Sequence, residues 1–267
     1  MKWKALPMPE GITKVEGSNS KHGKFVIEPL ERGWGITVGN ALRRVMLSSL
    51  QGAAVVSVRM DGISHEFDSL EGVKEDVSEI ILNLKQLRVK LLSDEETTLR
   101  LDVSGEGEVK AGNIEENPDV EVLNPELHIA TLGENGSLSM ELRIADGRGY
   151  VSSDELKREE DPIGVIPVDA NFSPVTKVSY EVVDTRVGQR TDFNSLTMEI
   201  WTDGSLEPED AMAYASKLLV DHLESFINFE GELESAQEVV EDDETERLRT
   251  LIKMRVDELE LSVRSSN

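Results

Sequence analysis

Residues 28–50, Glu-Pro-Leu-Glu-Arg-Gly-Trp-Gly-Ile-Thr-Val-Gly-Asn-Ala-Leu-Arg-Arg-Val-Met-Leu-Ser-Ser-Leu, constrain the fold more than any other part of the chain. A strand over residues 24–30 runs into glycine-punctuated chain at Gly33 and Gly35. Thr37 then has the type and position of a helix N-cap, with a hydroxyl able to take a free amide of the first turn. At about 100° per residue, Val38, Ala41, Leu42, Val45, Met46 and Ser49 fall on one side of the helix. Asn40, Arg43, Arg44 and Leu47 fall on the other. The first side is a core stripe. The second sets two arginines around an apolar leucine on a helix about four turns long. Solvated faces usually read Glu, Lys and Gln, whereas Arg and large apolar side chains carry interface energy. The face therefore reads as a protein contact, beside the plainer reading of a solvated surface with one stray leucine.

The same stretch carries a competing motif. Gly33-x-Gly35-x-x-x-Gly39 lies between a strand and a helix, as a dinucleotide-binding turn does, and Asp61 follows at about the distance of a ribose-binding acid. The third glycine comes one place late, and the chain beyond lacks the alternating strand–helix units of a doubly wound sheet. A dinucleotide-binding enzyme using Gly33, Gly35 and Gly39 is thus the alternative reading. Gly17 and Gly23-Lys24 imitate a phosphate loop less well, because Phe25 stands where a Ser or Thr would bind magnesium.

Composition narrows the function. The 267 residues suffice for two compact units or one large one. A net charge of −25 argues against broad phosphate binding, so a nucleic-acid role would be local or indirect. There is no cysteine, which excludes disulfides, thiolate metal sites and a cysteine nucleophile and suits the cytoplasm, the expected location. The first residues carry no apolar run of signal-peptide length, and no apolar stretch is long enough to span a membrane.

In order, residues 11–16 and 24–27 read as two strands separated by the turn-rich Gly17-Ser-Asn-Ser20. Beyond the helix, residues 53–60 form a β-branched run ending in Asp61-Gly62, a hairpin signal, with residues 63–67 expected to pair back. Residues 73–87 return to helical period, with Val73, Val77, Ile80, Ile81 and Leu84 on one face. From Arg88 to Val151 the period falls to two and turns come often, the pattern of a meander of short strands. Within it, Gly147-Arg-Gly-Tyr150 is a compact basic kink whose Arg148 suits a plain turn residue and a contact point alike. Residues 152–161 are charged and irregular or briefly helical. Residues 175–187 and 195–201 alternate as two long antiparallel strands around a second basic island, Arg186-Val-Gly-Gln-Arg-Thr-Asp192.

Pro208 opens the longest apolar helix, to about residue 229; proline is tolerated where first-turn amides lack partners. Met212, Ala215, Leu219, His222, Phe226 and Phe229 repeat at three and four, and Ala211, Leu218, Leu223 and Ile227 widen the stripe. A helix apolar over so much of its circumference needs cover on two sides: its own sheet and a second copy of itself. His222 falls on this seam, where a lone histidine reads as a packed or hydrogen-bonded side chain rather than a ligand. Residues 230–246 hold nine acidic side chains and no Lys or Arg, a self-repelling linker. Helical character returns at residues 247–261.

Motifs for zinc proteases, Walker loops, nucleophile elbows and two-metal sites are absent, and the four histidines are scattered without metal-ligand spacing. The residues favour a non-catalytic, cofactor-free protein that dimerises and offers small arginine patches to partners. A small-molecule enzyme and a generic dimeric adaptor are the competing readings.

Several segments together resemble the alpha-subunit family of bacterial-type DNA-directed RNA polymerase. They are Glu28-Pro-Leu-Glu-Arg-Gly-Trp-Gly35, Gly39-Asn-Ala-Leu-Arg-Arg-Val-Met-Leu-Ser-Ser49, Gly147-Arg-Gly-Tyr150, Ser173-Pro-Val175 and Arg186-Val-Gly-Gln-Arg-Thr-Asp192. The acidic, proline-containing start of the long helix continues the likeness. So does Asp257-Glu-Leu-Glu-Leu-Ser-Val-Arg-Ser-Ser-Asn267, which is similar to the lead-in of that family's C-terminal domain. The resemblance implies an α+β chain of two subdomains: a discontinuous α/β dimerisation subdomain (residues 1–51 and 174–229) and an inserted, mostly-β one (52–173). An acidic linker (230–250) and the start of a C-terminal domain (251–267), otherwise missing, would follow. It implies a homodimer that docks the beta and beta-prime subunits, the catalytic aspartates lying on beta-prime, and DNA or activator binding only through the C-terminal domain. Large-subunit contacts would map onto Arg44 and Leu47 first, then Arg43, Arg148, Arg186 and Arg190. The dimer interface would use Trp34, Val38, Leu42, Met212, Leu219, Leu223 and Phe226.

Overall fold

The computed structural model describes residues 6, 8, 9, 11–93, 95–188 and 190–227. Phe229, the expected linker (230–250) and the expected start of a C-terminal domain (251–267) lie outside the described residues. The chain from Pro9 to Ile227 forms one compact unit.

It begins with β1 (Ile12–Lys14), β2 (His22–Leu30), α1 (Trp34–Ser48) and β3 (Gln51–Met60). A short helix, α2 (Val77–Leu84), precedes the meander of β4 (Val89–Leu91), β5 (Thr97–Ser104), β6 (Gly107–Lys110), β7 (Val120–Val122), β8 (His128–Leu132), β9 (Ser137–Arg148) and β10 (Tyr150–Val151). Then come α3 (Ser153–Leu156), β11 (Val165–Pro167), β12 (Ala170–Asn171), the long strands β13 (Val175–Val187) and β14 (Arg190–Thr202), and α4 (Pro208–Glu224). This is an α+β fold, and every strand pair among the described residues is antiparallel.

One four-stranded sheet runs β1-β2-β14-β13, and a second runs β11-β3-β9-β5; three two-stranded pairs complete the meander. Apolar residues collect beneath the two main sheets separately. Under the first, Phe25, Ile27, Leu196, Met198 and Ile200 meet Leu42 and Met46 of α1 and Ala211, Met212 and Ala215 of α4. Under the second, Val58, Leu99, Leu101, Met140, Leu142 and Ile144 meet Ile80 and Leu84 of α2.

Four local expectations are corrected. Thr37 is not the N-cap of α1: the helix starts at Trp34, and Gly33 caps it at φ 87°, a left-handed conformation that suits glycine. The Thr37 hydroxyl instead donates back to the Gly33 carbonyl at 3.3 Å. Residues 63–67 do not pair back on β3, because β3 is already flanked by β9 and β11. Helix α2 is shorter than the periodicity over residues 73–87 because its expected first turn is drawn into β contacts. Val73 bridges Leu132, Lys74 N–H donates to Thr131 O, and the Glu75 carboxylate accepts from Thr131 N–H at 2.6 Å. The second long strand begins at Arg190 rather than Ser195, so the basic island is the tip of the β13–β14 hairpin.

Asp169, between β11 and β12, fastens the end of α2 to the start of α3. Asp169 accepts from Lys85 Nζ at 2.7 Å and from the Ser153 amide at 2.9 Å. The Lys85 hydrogen bond, then the amide, bring its carboxyl down to about 2.

Candidate functional site

Helix α1 is held to the first sheet by glycines. A Cβ built at Gly39 would stand 2.8 Å from a Tyr180 ring carbon and 2.9 Å from Leu196 Cδ1; one at Gly35 would stand 2.7 Å from Val182. Both glycines are buried within the helix, so the dinucleotide reading fails: no open loop exists there, and no parallel strand–helix–strand unit surrounds it. This close seat sends the opposite face outward. Ile36, Asn40, Arg43 and Arg44 are exposed, while Leu47 is half-buried and rests partly on the subunit's own core.

The two adjacent arginines differ. Arg43 Nε donates to the Val178 carbonyl at 3.3 Å, tying the helix to β13. Arg44 forms no ion pair with any described residue. Among the described residues only its backbone carbonyl is engaged by a side chain, accepting from Ser48 Oγ at 2.8 Å. Arg148, at the end of β9, pairs in register with Gln51. The adjoining Gly149 (φ 64°) passes so near the end of α1 that a Cβ there would lie 3.4 Å from the Ser48 carbonyl. Arg44, Leu47 and Arg148 thus belong to the C-terminal end of α1.

Arg186 and Arg190 sit at its other end. Arg186 Nε donates to Gly188 O at 2.8 Å within the hairpin tip. Arg190 bonds Glu31 at 2.9 Å and Asp192 at 3.1 Å and lies 4.5 Å over the Phe193 ring. The Asp192 carboxyl is held below its usual range by that hydrogen bond. Glu31 lies three residues before Trp34, the first residue of α1, and the Gly33 amide donates to Asn194 Oδ1 at 2.8 Å, so hairpin and helix start form one unit. From Trp34 to Arg44 is ten residues of α1, so the two basic groups are separated by about 15 Å of helix.

The seven residues expected at a dimer seam divide. Leu42 and Met212 are withdrawn from it: at 5% and 3% exposure they belong to the subunit's own core. Val38 and Leu219 are half-buried against that core. Trp34, Leu223 and Phe226 are 46%, 58% and 78% exposed. Sequence reasoning missed Ile36, Tyr214 and Val220, all exposed apolar residues on the same two helices. Val220, Leu223 and Ile227 repeat at three and four, a second stripe that the longer apolar one obscured. His222 is exposed, and its Nδ1 lies 2.8 Å from the Leu218 carbonyl, so it is hydrogen-bonded to its own helix. The first turns of α4 are therefore covered by the sheet, and the last two carry an open apolar face.

Among the described residues, no three His, Asp or Glu side chains come together so as to hold a metal ion. No described helix is long and apolar enough to cross a membrane.

A model of the RNA polymerase Rpb3/RpoA insert domain matches residues 58–173, which hold β5, β9 and β11 of the second sheet and the end of β3. The chain is 53% identical over 262 residues to the DNA-directed RNA polymerase subunit alpha of Bacillus velezensis, covering 98% of this chain and 83% of the relative. It is 51% identical over 262 residues to the subunit of that name from Symbiobacterium thermophilum, with the same coverage. It is 52% identical over 246 residues to that of Desulforudis audaxviator, covering 92% of this chain and 78% of the relative. With such identity along nearly its whole length, and with the strand–glycine–helix segment folded as a seated helix, the chain belongs to the family of DNA-directed RNA polymerase alpha subunits.

Proposed function

We propose that the chain is the assembly scaffold of RNA polymerase, a subunit without catalytic residues that dimerises and docks the beta and beta-prime subunits. The observation that carries this reading is the division of α1. Its inner side is sealed by Gly35, Gly39, Leu42 and Met46, while its outer side presents an unpaired Arg44 beside a half-covered Leu47. A guanidinium next to an apolar side chain on a rigid helix has the composition of an interface anchor.

Two subdomains support two tasks. Residues 1–51 and 174–229 would form the dimerisation platform, and 52–173 the insert; the separate cores favour this division. The open face of α4, with Trp34 and Ile36 of α1, would pair with its counterpart in a second copy, an obligate interface of roughly 2,000–5,000 Å². Arg44, Leu47 and Arg148 would make the principal large-subunit contact, with Arg43 fixing the helix that carries them. Arg186 and Arg190 would serve a second contact at the far end. Co-purification of beta and beta-prime with a tagged Arg44→Ala chain tests this. Large-subunit affinity should fall by about 2 kcal/mol or more if Arg44 is a central anchor, with the dimer intact. Undiminished recovery would remove Arg44 from the contact.

A further inference from the structure

The first sheet has a second face that α1 and α4 leave alone. Its outward residues alternate with the core set along β2, β14 and β13; Ser195 is buried, but those toward the His22 end are at least partly exposed. At one end, His22, Trp201 and Lys177 stand side by side across the three strands, because Trp201 pairs in register with both neighbours. The His22 ring stacks on the indole at 4.9 Å between centroids, and Lys177 Nζ lies 4.3 Å from the centre of the Trp201 ring. The next row holds Lys24 opposite Glu199, whose carboxylate is engaged by His22 Nε2 at 2.9 Å. Lys21, beside them, lies over Gly204. Lys21, Lys24 and Lys177 form no ion pair with any described residue, in a chain with 53 acidic and 28 basic side chains.

We propose that this end of the outer face binds a short acidic segment of a partner protein. Successive rows on a sheet face are about 7 Å apart, and three strands span about 10 Å. An extended peptide repeats its side chains at the same two-residue interval, so carboxylates at alternate positions would meet the Lys177 and Lys24 rows in turn. His22 and Lys177 flank the indole and hold it upright, giving the peptide an apolar ridge beside the Lys177 cation. Glu199 offers little opposition because His22 already engages it. Nucleic acid fits less well. Three lysines are too few for the run of phosphate contacts that drives such binding, and the flanked indole has no free face for a base. The net charge of −25 on the whole chain repels a polyanion that extends past the patch.

The test is fluorescence anisotropy with the full chain and a fluorescein-labelled peptide of alternating glutamate and leucine, beside a labelled single-stranded DNA of equal length. Saturable peptide binding is expected, weakening with salt and exceeding DNA binding. The Lys24→Glu/Lys177→Glu chain should bind about tenfold more weakly. The Lys24→Met/Lys177→Met chain, which keeps the side-chain stems, should lose affinity as well, and both should melt like the wild type. Peptide binding that does not saturate, that survives both double substitutions, or that is weaker than DNA binding would overturn the assignment.

Discussion

Replacing Phe226, just beyond α4, or Leu223, near its end, with aspartate tests the open apolar face there. In the single subunit these side chains are 78% and 58% exposed, so a charge at either position leaves the monomer's own packing untouched. Full burial of a Leu or Phe is worth about 1.5–3 kcal/mol. Covering them in a dimer would therefore return roughly 1–2 kcal/mol each. An aspartate forfeits that gain and adds the cost of stripping water from a carboxylate, several kcal/mol in a dry seam. The sum is about 4 kcal/mol or more, a factor of about a thousand in Kd. Sedimentation velocity at micromolar protein should show wild-type dimer and variant monomer, with unchanged far-ultraviolet circular dichroism. Leu219→Asp is less informative, because Leu219 rests on the subunit's own core and its loss also perturbs folding. A dimer unchanged by both Phe226→Asp and Leu223→Asp would refute the role assigned to this face.

Other outcomes follow from the same geometry. Gly39→Ala drives a methyl into Tyr180 and Leu196; after a helix-propensity gain of about 1 kcal/mol, a net loss of roughly 1–2 kcal/mol is expected, read by denaturant titration. Asp169 has its pKa lowered from 3.8 to about 2, so the stability it confers is present above 3.8 and is lost as pH falls through about 2. With that carboxylate partly exposed, Asp169→Asn should cost about 1–2 kcal/mol near neutrality and flatten the acid-unfolding profile. Arg190→Ala should release the Glu31 turn and speed amide exchange at the start of α1, measured by hydrogen exchange.

What could be read from the sequence was whatever local periodicity encodes. The α1 stripe and the existence of two paired strands after Ser173 follow from residue spacing, and the opening of α4 at Pro208 from its proline, although the second strand starts five residues earlier than its spacing suggested. The start of α1 was misplaced because it depends on a left-handed Gly33, a backbone property that resembles any other turn glycine in one dimension. A period of two identifies strands but not their partners. The three-residue β11 carries too little pattern to announce that it would take the edge of β3 in place of residues 63–67. At the candidate site, the exposure of Arg44 follows from helix geometry alone. The engagement of Arg190 by Glu31, 159 residues earlier, arises only when the hairpin folds back on the start of α1. Leu42 and Met212 were assigned to the seam because apolar stripes on α1 and α4 face both the subunit core and the open side, and only the packed sheet divides them.

A photo-crosslinking side chain placed at Arg44 in one preparation and at Phe226 in another, each reconstituted with the two large polymerase subunits, tests the division of labour between these helices most directly. The scaffold account predicts that position 44 captures a large subunit and position 226 captures a second copy of the chain. Capture of a second copy from position 44, or of a large subunit from position 226, would contradict it.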